Sequence, residues 1–209
     1  MSRWLIGWVA GIVLFFPATV FSAGEHQRRF SVEVALLAGD NRLLLEDGLS
    51  SEKRQWIEGR IISSKNVLPL LARYYVQESG YEGLSLFQQV EALTRYPVGS
   101  DTLQRAVMEM SERFPVQFAV DLNKPLDSLS KRQVKSDYEE MCLGCHITTA
   151  QEKSVVIGEF GTFARSMTDD EWLARLLGGL RGDSYTALEN PFTDTEIARF
   201  FRYVRDELP

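Results

Sequence analysis

Five consecutive residues, Cys142-Leu143-Gly144-Cys145-His146, hold both cysteines of the chain and one of its two histidines. Two thiols spaced C-x-x-C on a helical turn can add to the two vinyl groups of one porphyrin, forming thioether bonds. The adjacent imidazole then points under the plane and binds the iron. Gly144 keeps the turn free of side-chain bulk where the macrocycle approaches. This is the attachment signature of c-type haem, with Cys142 and Cys145 as covalent anchors and His146 as the proximal iron ligand. Competing chemistries fit less well. A dithiol redox centre belongs in a βαβ context, which this helical neighbourhood lacks. A zinc site needs further ligands, and only His26 remains. A structural disulfide leaves His146 unexplained.

The chain that must position these residues begins with an address. Residues 1–23 open with Arg3, continue as a 13-residue uncharged apolar run from Trp4 to Phe16, break at Pro17 and end on the small residues Ser22 and Ala23. That is the pattern of a signal peptide cleaved after Ser22 or Ala23. Retained, the stretch from Trp4 to Phe21 approaches the length of a membrane anchor. Both cases place the remaining chain outside the cytoplasm, periplasmic or tethered to the membrane. Composition is globular, 44% hydrophobic and 25% charged, which excludes a disordered tail, a collagen and a disulfide-dense scaffold. The net charge of −6, with no Lys/Arg run longer than two, argues against a nucleic-acid face.

Residues 24–129 read as a helical domain of unknown role. Phe30, Val32, Val34 and Leu36 alternate with Ser31, Glu33 and Ala35, a pattern open to strand or helix. Asp47-Gly48 marks a turn. Ser50 and Ser51 then cap a helix through Trp56, Ile57, Ile61 and Ile62, and Asn66 is expected to cap a second carrying Leu68, Leu71, Ala72, Tyr75 and Val76. Further helices follow over Leu84–Leu93 and from Ser100-Asp101 to Phe114. Their aromatic residues read as core filling. Residues 115–130, rich in Asp, Ser and Pro, look like a linker. Residues 130–209 carry the chemistry.

In that last stretch, Asp137-Tyr138-Glu139-Glu140-Met141 leads into the motif as a helix. Thr193-Asp194-Thr195-Glu196-Ile197 opens another that runs to Val204, with Glu196 as capping-box partner. Asp169–Leu180 predicts a middle helix with Trp172, Leu173, Leu176 and Leu177 inward. Here the chain resembles the class I cytochrome c family, over residues ~130–209. Taken with the helices read over residues 24–129, to which it does not extend, the resemblance gives an expected all-α fold, a helical N-terminal domain followed by a cytochrome c-like helical haem domain. It also implies that the helix bearing the motif packs on the C-terminal helix.

The family's distal ligand is a methionine, usually followed by proline, shortly before the last helix. Here that stretch, Arg181 to Leu188, has no methionine; Tyr185 stands at the place, followed by Thr186. Three assignments stay open. Met167 supplies a sulfur; Tyr185 binds as a phenolate or sits over an open or water-bound iron; or Met108, Met110 or His26 reaches in from the first half. Met141 adjoins the attachment turn and is excluded. Arg165, Arg181 and Trp172 are either donors to the haem propionates or, respectively, solvated arginines and a core tryptophan.

The expectation is an exported monohaem c-type cytochrome carrying electrons between periplasmic or membrane redox partners, including a larger respiratory or oxidoreductase complex. It is an electron carrier or redox subunit rather than an enzyme. The alternative is a haem-based sensor or catalytic redox subunit with an open or weakly ligated distal site. The apolar run and its small-residue end predict a mature N-terminus at Ala23 or Gly24. N-terminal sequencing that starts at Met1 or Ser2 turns the segment into an anchor.

Overall fold

The computed structural model describes residues 24–142, 160–178 and 192–208. Those residues form eight helices and no strand: α1 (Glu25–Leu45), α2 (Ser51–Ser79), α3 (Gly83–Arg95), α4 (Asp101–Arg113), α5 (Ser128–Met141), α6 (Phe160–Arg165), α7 (Asp169–Leu177) and α8 (Asp194–Glu207). The fold is all-α. The segment 1–23 read as a signal peptide lies outside the described residues. Among the described helices none is long and apolar enough to cross a membrane.

Most helix starts follow from local chemistry. Ser50, Ser100, Asp127 and Thr168 each accept a hydrogen bond from a first-turn N–H. Thr193 and Glu196 close the capping box expected for α8. Gly80 ends α2 in the left-handed region, φ 68°, as the helix stop requires.

Two elements differ from the sequence reading. Residues 30–36 are helical, within α1. Their apparent alternation arises because α1 is covered on every side: buried positions run almost without a break from Phe30 to Leu44. A helix with no solvent face shows no 3.6-residue signature. The helix expected to start at Asn66 is instead the second half of one long α2, with Pro69 inside it. Ile57, Ile61, Ser64, Lys65, Leu68 and Ala72 form one buried stripe that keeps its phase across Asn66. Burial of that stripe outweighs the roughly 3 kcal/mol that an interior proline costs.

Two apolar clusters result. The first packs Phe30, Val34 and Leu37 of α1 with Ile57, Ile61 and Leu68 of α2 and with residues of α3 and α4. The second packs Val32, Ala35 and Leu36, from the other side of α1, with Val134, Tyr138, Met167, Trp172, Phe200, Phe201 and Val204. The linker-like residues lie on this second cluster: Val116 is buried, and Phe118, Leu122 and Leu126 pack against it. Asn41, fully buried on α1, donates to the Ser100 carbonyl and to Gln104 and accepts from the Gly99 N–H. These bonds lock α1 to the turn before α4.

Phe30 is the pivot of the first cluster. Its ring lies 5.1 Å from Tyr75 and 5.3 Å from Phe114, edge-on to the latter. Phe30→Ala is expected to cost about 3–5 kcal/mol of folding free energy, as for other buried aromatic truncations. Urea titration checks this; a loss below about 1 kcal/mol would mean the site collapses freely around the gap.

Candidate functional site

Helix α5 leads up to Cys142, the first residue of the C-x-x-C-H motif. Asp127 fixes its start by accepting the Ser130 N–H at 2.7 Å. Its buried residues are Val134 and Tyr138. Cys142 follows at the same four-residue step, so it continues the core-facing stripe. The backbone is still helical there: the Cys142 N–H donates to the Tyr138 carbonyl at 2.9 Å. Cys142 is half-buried and packs on the second cluster. Cys145 and His146 lie outside the described residues, as do Tyr185 and Arg181.

The wall that Cys142 meets is aromatic. Tyr138 stacks on Phe160 at 6.2 Å and leans on Tyr203 of α8 at 5.9 Å. Phe160 meets Trp172 edge-on at 5.3 Å. Around this core Phe163, Leu176, Leu177 and Phe192 are only partly buried. Lys131 of α5 pairs with Glu207 of α8 at 2.6 Å, adding an outer contact to the α5–α8 packing.

Met167 is buried in this same cluster, between α6 and α7. The candidates from the first half lie elsewhere. Met110 is buried in the first cluster and Met108 is exposed. The His26 ring stacks on Tyr74 at 4.8 Å, so it belongs to the α1–α2 pair and not to a loose chain end. Trp172 is the core residue of the two readings: its indole N–H donates to the Phe201 carbonyl at 3.3 Å. Arg165 donates to the carbonyls of Arg205 and Leu208 at 2.9 and 2.8 Å, which ties down the end of α8.

Sequence reasoning missed a group of buried charges beside this cluster. Asp40 of α1, Arg60 of α2, and Glu171 and Arg175 of α7 form salt bridges. Only Glu171 and Arg175, one helical turn apart, gave a signal in the sequence.

Burial, then the charges of Cys142 and Tyr203, pushes the Tyr138 phenol above its ordinary value. Burial, then Glu139 and Glu207, does the same for Tyr203. The folded protein therefore keeps protons that the unfolded chain releases above pH ~10. Stability from these groups is intact below that pH and is lost as pH rises through the higher folded values. The urea midpoint should fall between pH 9 and pH 11, and fall less in Tyr138→Phe; equal falls in both proteins would remove Tyr138 from this account.

Comparison with known protein families, curated proteins and solved structures finds no match. The motif at 142–146, and the wall against which α5 sets its first cysteine, are what a functional reading must explain.

Proposed function

We propose that the chain is an exported c-type cytochrome with one covalent haem, carrying electrons between redox partners outside the cytoplasm. One observation carries the reading: C-x-x-C-H begins where the core-facing stripe of α5 ends, with Cys142 set against an apolar aromatic wall. The packing of α5 on α8 supports the resemblance to class I cytochromes c.

The residues present fit such a group. Cys142 and Cys145 are the two thiols for its thioether bonds, and the His146 imidazole is the iron ligand beside them. Phe160, Phe163, Leu176, Leu177 and Phe192 are flat or branched apolar side chains, partly uncovered around Cys142's cluster. Such surface suits an apolar ring system and excludes water from it. When bound, the haem supplies one-electron exchange at its iron. Of the three distal assignments, Met167 is favoured by its place in the cluster that Cys142 touches. A thioether there favours the ferrous state and raises the potential. The net charge of −6 suits brief, salt-sensitive encounters with a basic partner surface.

The intact mature protein should weigh one haem more than its polypeptide, and His146→Ala should abolish normal incorporation. A mass equal to the bare polypeptide sinks the proposal. In the haem protein, Met167→Ala should remove a weak far-red sulfur-to-iron band and lower the potential, while Tyr185→Phe does little. The reverse result, with a high-spin ferric spectrum, assigns Tyr185. Rapid carbon monoxide binding by the unmutated protein would replace electron transfer with the ligand-sensing alternative.

A further inference from the structure

A chain of alternating charges runs from the surface into the interface between the two clusters. Glu46 pairs with Arg42 at 2.5 Å, Arg42 with Glu171 at 3.1 Å, and Glu171 with Arg175 at 2.7 Å. Arg175 then pairs with Asp40 at 3.0 Å, and Asp40 with Arg60 at 2.5 Å. The inner members are nearly inaccessible: the Asp40 side chain is 2% exposed, Glu171 6% and Arg175 10%. The chain links α1, α2 and α7, that is, both clusters.

The backbones at this junction are close. A Cβ on Gly39 of α1 would lie 2.3 Å from Oε1 of Glu171. One on Gly178, just past α7, would lie 3.0 Å from Leu36 and 3.3 Å from Val32 of α1. The start of α7 thus lies by Gly39 and its end by Val32 and Leu36, so the two helices run antiparallel. Relative motion is the default between separable domains unless their interface is large and well packed. Here each buried charge has its partner on another element or one turn away, and the gap leaves no space for a methyl group.

We propose that residues 24–129 are an integral wall of the Cys142 site, and that Asp40, with Arg60, Arg175 and Glu171, positions α7 within it. Helix α7 carries Trp172 and Leu173 into the second cluster, and Met167 precedes its cap. Losing Asp40's charge leaves Arg60 and Arg175 facing each other without their shared acid. Helix α7 then shifts or draws in water, and the apolar wall around Cys142 loosens. This rests on the haem reading only for its spectroscopic readout.

Three variants of the full chain test it. Asp40→Asn removes the charge at constant size. Gly39→Ala removes no charge but displaces the Glu171 carboxylate. Ile61→Ala opens a gap in the first cluster, away from the charges. All three should lower the thermal midpoint. Only Asp40→Asn and Gly39→Ala should lower the equilibrium constant for haem reduction, about tenfold, or ~59 mV for one electron, because water near the haem favours the ferric charge. An unchanged potential in both, with haem bound, overturns the positioning role; so does an equal shift in Ile61→Ala. If the chain carries no haem, the functional reading fails. The junction is then read from Trp172 emission with Trp4, Trp8 and Trp56 replaced by phenylalanine. A red shift in Asp40→Asn but not in Ile61→Ala supports the role, and no shift overturns it.

Discussion

Asp40 is a carboxylate on a helix that has almost no face to turn toward water. From Phe30 to Leu44, α1 is covered by α2 and α4 on one side and by α7 on the other. A bare charge in that position would cost several kcal/mol. Arg60 and Arg175 both reach the same oxygen, Oδ1, one from each neighbour. Such a group adds little stability over an apolar replacement, but it penalises every arrangement that leaves one member alone. Apolar faces alone tolerate sliding. The shared acid allows one seating of α2 and α7 on α1, and the rest of the packing follows from that seating.

The same constraint explains the glycine at position 39. Glu171 lies across α1 where a side chain would otherwise stand. Its carboxylate is gripped by Arg42 and Arg175, so it cannot swing away cheaply. Burial tends to strip the proton from the Arg175 guanidinium, yet Asp40 and Glu171 hold it above its ordinary value. The Arg175 charge is thus retained between the two acids. What looks from the sequence like two halves is joined at its most polar and least forgiving point.

The sequence made some of this legible and hid the rest for physical reasons. Capping is local, so Ser50, Ser100 and Thr193 could be read directly, and the C-x-x-C-H spacing is equally local. Helix α1 was ambiguous because full burial erases the amphipathic period. Asn66 is a capping residue type, but the buried stripe at 57, 61, 64, 68 and 72 runs straight past it. The Asp40–Arg175 bridge spans 135 residues, and nothing in composition or spacing points to it. Trp172 and Arg165 carried donors that suit a propionate, but burial and helix ends made prior demands on them. Cys145, His146 and Tyr185 lie outside the described residues, so the C-x-x-C-H motif is legible chiefly as sequence.

Met167 shows how the helices around the site constrain one another. Its carbonyl accepts from Arg205 of α8 at 3.3 Å, and Arg205 also pairs with Asp169 in the first turn of α7. Thr168, the next residue, caps α7 through the Glu171 N–H. The position of Met167 is therefore set by α8 from one side and by the Glu171 end of α7 from the other. Helix α8 is also the helix on which α5 packs to present Cys142. A ligand at Met167 would be held by α8, on which α5 packs ahead of Cys142, and by α7, which carries Glu171 and Arg175 of the buried charges. The absence of methionine between Arg181 and Leu188 is thus compatible with a well-held distal sulfur, supplied from the start of α7.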